Sequence, residues 1–226
     1  MAINLMNTAN LGAGHIKLLV YGSSGSGKTR LISTLPNPVT LSAEGGLLSL
    51  SQFELPYIEI KNMTDLWEAY TWLTSSEEAK PFETVCLDSI SEIAEIVLAA
   101  EKLKTPHGQK AYGEMQEQVT KMIRAFRDAP KHVYFSALVE RSQDEMGKVT
   151  YQPALPGQKV GPKLPSFFDE ALALRLERDA EGNTHRALMT NSDGSWVAKD
   201  RSGKLNPAWE PPDLGAIIRK IGGSNG

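Results

Sequence analysis

Short apolar runs alternate along the chain with segments of helical periodicity. Residues 15–21 (HIKLLVY) form a run of the kind found in buried parallel strands. It enters GSSGSGKT at 22–29, and RLISTL then reads as a helix that Pro36 and Pro38 end. Residues 39–42 and 57–60 predict further strands. Residues 63–76 carry apolar or aromatic side chains at 63, 66, 67, 70 and 73, a helical spacing with Thr64 as cap. A strand is predicted over 82–88, a helix from Ile90, a Pro- and Gly-interrupted break over 104–114, and a helix over 115–127. Residues 132–138 (HVYFSAL) predict a strand, and 140–166 a long polar loop rich in Pro and Gly, a type that is usually functional or mobile. Strands are expected at 169–177, 185–190 and 196–199, with turns at 181–183 and 193–194. An amphipathic helix over 213–221 has apolar residues at 214, 217, 218 and 221. The alternation indicates an α/β fold: a mostly parallel twisted sheet flanked by helices, with antiparallel strands towards the C-terminus.

Composition narrows the class. At 226 residues, 41% of them apolar, the chain can bury a substantial core; residues 15–226 are expected to form one domain after a polar arm at 1–14. No apolar run reaches the roughly 18 residues that a bilayer demands, and the N-terminus lacks the order of a signal peptide. Cys86 is the single cysteine, which excludes an intrachain disulfide and a CxxC zinc site. A cytoplasmic setting and no membrane partner are therefore expected. The net charge of −3 argues against nucleic-acid binding by bulk positive charge, while leaving room for a local basic loop or a groove formed by an oligomer.

Chemistry concentrates at Gly22-Ser23-Ser24-Gly25-Ser26-Gly27-Lys28-Thr29, which satisfies G-x-x-x-x-G-K-[ST] between an apolar strand and a helix. Glycines let the backbone wrap around phosphate, and successive N–H groups face the anion. Lys28 would reach the β- and γ-phosphates of ATP, and the Thr29 hydroxyl would bind Mg²⁺. Asp88, at the end of a buried strand, would hold the Mg²⁺ shell; its alternative role is to cap the following helix. Glu44, freed by Gly45-Gly46 on the same sheet rim, is the candidate to orient the attacking water, against a plain solvated turn carboxylate.

With Ser42-Ala43-Glu44 and Cys86-Leu87-Asp88-Ser89 beside the phosphate loop, residues 15–205 resemble the RecA-type P-loop ATPase core. That resemblance implies that Glu44 is the catalytic base and that the Asp-Ser pair ends the magnesium strand. Lys199 and Arg201, in WVAKDRSG, resemble the paired cations with which RecA, RadA and replicative helicases reach a neighbour's γ-phosphate; strand alternation puts both on one face. Their alternative is a surface hairpin with ordinary charges. The chain is similar to the compact phage-encoded ATPases of the Sak single-strand annealing group, also described as phage AAA-type nucleotide-binding proteins. The resemblance implies a homo-oligomer, ring or filament, acting on single-stranded DNA in phage recombination or annealing, often beside a single-strand-binding protein. RecA ends its next strand with Asn-Gln; here Phe135-Ser136-Ala137 stands, and Ser136 is left to bond a water or phosphate.

By chain order the DNA-binding candidates are 104–114, with Lys104, His107, Lys110 and Tyr112, and 140–166, with Arg141, Lys148, Tyr151, Lys159 and Lys163. Lysines neutralise phosphates and a tyrosine can stack on a base. Glu140, Asp144 and Glu145 dilute the second segment, so repetition of Lys159 and Lys163 around an oligomer would supply the effect. Phe167 and Phe168 are expected to pack in the core or against a subunit. The main alternative is a nucleotide-dependent loader that acts on a protein partner; a small-molecule kinase lacks a recognisable acceptor or lid motif.

Overall fold

The computed structural model describes residues 14–157, 159–179 and 181–222. The expected arm at 1–14 therefore lies outside the described residues, Gly14 excepted. One ten-stranded sheet runs through the molecule in the order β10-β8-β7-β1-β5-β4-β2-β3, with β6 paired to β5 and β9 to β7. The strands are β1 (Lys17–Gly22), β2 (Pro38–Ser42), β3 (Tyr57–Glu59), β4 (Thr84–Asp88), β5 (His132–Gln143), β6 (Val149–Pro153), β7 (Glu170–Arg178), β8 (Thr184–Met189), β9 (Lys199–Asp200) and β10 (Trp209–Glu210). From β3 through β7 all neighbours along this order are parallel; β8 and β10 add antiparallel edges. The helices are α1 (Met63–Ser75), α2 (Ile90–Lys104), α3 (Gly108–Asp128) and α4 (Leu214–Gly222). This is the α/β architecture expected.

Both sheet faces are covered, which is why β1, β2 and β4 are buried at every position. On one face Leu19, Phe135 and Val85 pack with α1, α2 and α3; Phe126 meets Phe135 with ring centroids 6.0 Å apart. On the other face Val20, Cys86, Tyr134 and Leu172 pack against Leu31, Ile32 and α4. No helix among the described residues is long and apolar enough to cross a membrane.

Four local expectations need correction. Residues 29–34 form a short 3₁₀ segment rather than an α-helix. Pro36 and Pro38 leave it too little length, and the Ser33 and Thr34 hydroxyls donate to the carbonyls of Arg30 (2.8 Å) and Leu31 (2.7 Å), in competition with the helical ladder. Asn62, not Thr64, caps α1, through its Oδ1 to the amides of Thr64 (2.8 Å) and Asp65 (3.1 Å). The break after α2 is confined to 105–107, and Lys110 and Tyr112 lie on α3 rather than on a loop. Gly113 is simply tolerated in the helix, at a cost of about 1 kcal/mol relative to Ala. Residues 140–166 are not one loop either. They hold the outer half of β5, all of β6 and a 3₁₀ segment, Gly161–Phe167. The outer part of β5 carries Glu140, Arg141, Ser142 and Gln143, so it lacks the apolar alternation by which a strand is recognised.

The C-terminal helix docks behind the phosphate loop. The Leu214 amide donates to Thr34 Oγ1 at 2.9 Å, and a Cβ on Gly215 would stand 2.2 Å from the Thr34 carbonyl oxygen. Helix propensity favours alanine over glycine by about 1 kcal/mol, whereas overpacking against backbone costs about 1–3 kcal/mol, so sterics win. Gly215→Ala is expected to lower the urea unfolding midpoint; an unchanged or raised midpoint would show that α4 does not dock there.

Candidate functional site

The strand order decides where the chemistry gathers. β5 lies between β1, which feeds the phosphate loop, and β4, which ends in Asp88. Val20 pairs with Ser136, Leu87 with Phe135 and Ser42 with Asp88, so Ser42, Asp88, Ser136 and the loop share one rim. Asp88 is buried and receives two hydroxyl donors: Thr29 Oγ1 donates to Oδ2 at 2.7 Å, and Ser136 Oγ donates to Oδ1. Burial pushes the Asp88 carboxyl above its ordinary range; the Ser136 and Thr29 hydroxyls pull it back, Glu44 raises it and Lys28 lowers it.

The phosphate loop is shaped by close approaches. A Cβ on Gly22 would come 2.7 Å from the Leu174 carbonyl oxygen on β7, so strand packing alone demands glycine there. Gly27 has φ of +106°, and the Arg186 side chain lies against it. Ser23, Ser24 and Gly25 form the exposed crest of the loop, while Ser26 is buried with its Oγ unpartnered. Lys28 is buried, and its Nζ donates to the carbonyls of Gly22 (2.9 Å) and Ser23 (3.0 Å). Burial lowers the Lys28 pKa, opposed by the charges of Glu44 and Asp88. An orphan hydroxyl, an ammonium inside the loop and a Thr–Asp pair behind it fit a magnesium-bound polyphosphate: Ser26 and Lys28 would hold phosphate oxygens, and Thr29 and Asp88 the ion.

Glu44 lies at the same rim, exposed to solvent. Ser89 Oγ donates to its Oε1, and the Ala43 amide donates to the Asp88 carbonyl at 2.9 Å. Ser89 also accepts from the Glu92 amide at 3.3 Å and so caps α2; the capping role weighed for Asp88 falls to its neighbour. The Asp88–Ser89 peptide is cis. Ser136, expected to bond a water or phosphate, is instead a donor to Asp88.

Lys199 and Arg201 lie elsewhere. Lys199 pairs with Ala171 and Asp200 with Glu170, at the start of β7, whereas the phosphate loop leaves the opposite end of β1. Both cations face one segment, although the strand expected over 196–199 is only β9, Lys199–Asp200, and Arg201 follows it in a bend rather than in strand alternation. Lys199 Nζ donates to the carbonyls of Pro165 and Phe168, each at 2.6 Å, while Arg201 bonds Asp169 at 3.0 Å and the Ser166 carbonyl at 3.2 Å. Burial lowers the Lys199 pKa, as does Arg201, against the opposing Asp169 and Glu170. Glu170 is pushed up to about 8 by burial and by Asp200.

Of the nucleic-acid candidates, Lys159 and Lys163 line one groove with α3. Lys110 is exposed on the first turn of α3, and Tyr112 lies near Gly157 and within 5.5 Å of Lys102 Nζ. Lys148 sits apart, at the turn of the β5–β6 hairpin. Tyr151 is structural: its ring stacks on Trp196 at 4.5 Å, and its carbonyl accepts from Tyr21 Oη at 3.1 Å. Phe168 is core, 5.1 Å from Phe135, and Phe167 is partly buried.

Three contributors lie outside the motifs of the sequence. Tyr134 Oη donates to the Lys28 carbonyl at 2.9 Å, and Arg186 Nε donates to the Ser26 carbonyl at 2.6 Å. Arg30 lies 4.6 Å over the Phe53 ring, beside the loop in a cleft of about 990 Å³ that Arg186 and Leu31 also line, a volume suited to a nucleotide. Only the period-two placement of Tyr134 before Ser136 offers a signal; Arg30, Phe53 and Arg186 belong to no spacing rule.

Parallel sheet, phosphate loop and Asp88 together define a P-loop NTPase. The AAA domain family matches residues 15–202, and the chain belongs to that family of nucleotide-binding proteins. No curated protein matches the chain significantly.

Ser136→Ala removes one of the two hydroxyls that oppose the effect of burial on Asp88, so the Asp88 pKa rises further. Magnesium-dependent nucleotide binding is expected to fail at a higher pH on acidification than in the parent. At neutral pH it should weaken by about 1.5–3 kcal/mol, the worth of a hydrogen bond to a charge. A fluorescent-nucleotide titration against pH checks this, and an unmoved acidic limb would remove Asp88 as the titrating group.

Proposed function

We propose that this chain is a Mg²⁺-dependent ATPase that works as a homo-oligomer on single-stranded DNA, in the recombination or annealing of phage DNA. The observation that carries the hydrolytic part is the Glu44 carboxylate. It is held by Ser89 at the rim, close enough to Lys28 and Asp88 to influence the charge of both. In that place Glu44 can orient a water and accept its proton as the water oxygen bonds to the γ-phosphorus and ADP departs. Lys28 offsets charge on the phosphate oxygens, and bound magnesium supplies further charge neutralisation.

The oligomeric part is supported by the placement of Lys199 and Arg201: at the start of β7 they stand away from the phosphate loop of their own chain, and a second copy is the site they could complete. The DNA part, and the pairing with a single-strand-binding protein, rest on the resemblance to the Sak group and on the exposed lysines beside α3.

Lys28→Ala is expected to abolish ATP turnover. Glu44→Gln should keep nucleotide binding and lose about 10²–10⁴-fold in turnover; unchanged turnover would eliminate Glu44 as the base.

Mixing Lys28→Ala chains with Arg201→Ala chains should restore activity that neither has alone, because some sites then combine an intact loop with an intact neighbour. Absence of restoration, with both variants folded and assembled, would remove the shared site. Turnover without DNA affinity at low salt would favour a protein partner instead.

A further inference from the structure

A groove of about 640 Å³ runs between α3 and the segment 159–167. Lys121 and Arg124 line it from the helix, Lys159 and Lys163 from the segment, and Glu117 is its single carboxylate. All four cations are exposed. Among the described residues none of them forms an ion pair, whereas Lys61, Lys80, Lys104, Arg127, Arg175, Arg201 and Lys220 all do. Four cations outside any ion pair, one of them Lys121 with its Nζ 5.7 Å over the Trp67 ring, are a local reversal of sign on a chain whose net charge is −3. One feature makes the groove more than a charged patch: its wall includes the partly buried ring of Phe167.

We propose that this groove holds the backbone of single-stranded nucleic acid, its phosphates on Lys121, Arg124, Lys159 and Lys163 and a base against Phe167. The inference rests on the single-strand function proposed above and assigns it a place. Extent argues for a polymer rather than a lone anion. From Gly113 to Arg124 the helix wall measures about 17 Å at 1.5 Å per residue, the length of about five nucleotides at a stacked rise of about 3.4 Å. The cations of that wall, Lys121 and Arg124, stand together at one end of it, and the rest of its length is open to a chain that continues past them. The aromatic wall argues for a single strand, because only unpaired bases offer a face for stacking. The site draws on α3 and the 3₁₀ segment, not on the hairpin turn that carries Lys148.

The test is fluorescence anisotropy of a short labelled oligothymidylate with the full chain, titrated between about 50 and 200 mM salt. Two variants remove one wall each: Lys121→Ala/Arg124→Ala and Lys159→Ala/Lys163→Ala. Each is expected to reduce the slope of log affinity against log salt by about 1.4, because every phosphate that a single strand no longer has neutralised takes away about 0.7. Fluorescent-nucleotide affinity and the urea midpoint should stay at parental values, since all four side chains are exposed and stand away from the phosphate loop. Parental DNA affinity and slope in both variants would overturn the groove while leaving the single-strand function standing. No affinity in the parent chain at the lowest salt would overturn that function itself, and the groove with it. Equal affinity and equal slope loss on duplex DNA would overturn the assignment to single strands.

Discussion

A carboxylate taken out of water must be given donors, and Asp88 is the place where this protein meets that demand. One donor arrives from Thr29 at the end of the phosphate loop, the other from Ser136 on β5. Because β5 separates β1 from β4, no other strand could deliver the second hydroxyl so directly. Period two then places Tyr134 on the same face as Ser136, where its hydroxyl takes the Lys28 carbonyl. The phosphate loop, β4 and β5 are thus joined through one buried carboxyl. Another buried carboxyl, Glu170, sits among different company and is resolved differently. Beside Asp200 and desolvated, it is pushed up to about 8 and so carries a proton at neutral pH.

The two ends of the sheet do different work. Strand C-termini gather the phosphate loop, Glu44, Asp88 and Ser136. The start of β7 gathers Asp169, Glu170, Lys199 and Arg201 around the 3₁₀ segment. A parallel sheet separates these groups by the length of a strand, and in the chemistry proposed above it is a second copy that would bring them together.

The parts legible in the sequence are those with a period or a fixed spacing. The phosphate loop, the buried strands β1, β2 and β4, and the amphipathic α4 each carry one, and each stands within a residue or two of its expected place, apart from the two extra residues at the start of the strand expected over 82–88. The outer half of β5 is not legible because its side chains are polar and largely solvated along a hairpin, so no apolar alternation marks it. The start of α3 is hidden by Pro106, Gly108 and Gly113, residues that usually punctuate chains but here stop only a single short connection. Arg186 and Phe53 approach the loop from distant segments, through tertiary packing that has no linear signature. The groove beside α3 is half visible: Lys159 and Lys163 stand out as a basic pair, while Lys121 and Arg124 look like the solvated face of a helix until the fold sets the two pairs opposite one another.

The ammonium of Lys199 is shared between two backbone oxygens, those of Pro165 and Phe168. Two of its three N–H donors are taken by these acceptors, which leaves one for a foreign phosphate, so a fuller engagement of a neighbour would mean letting go of its own backbone. The stretch released is the continuation of the one that carries Lys159 and Lys163. The same two bonds therefore fasten the end of the basic wall to the distant cation.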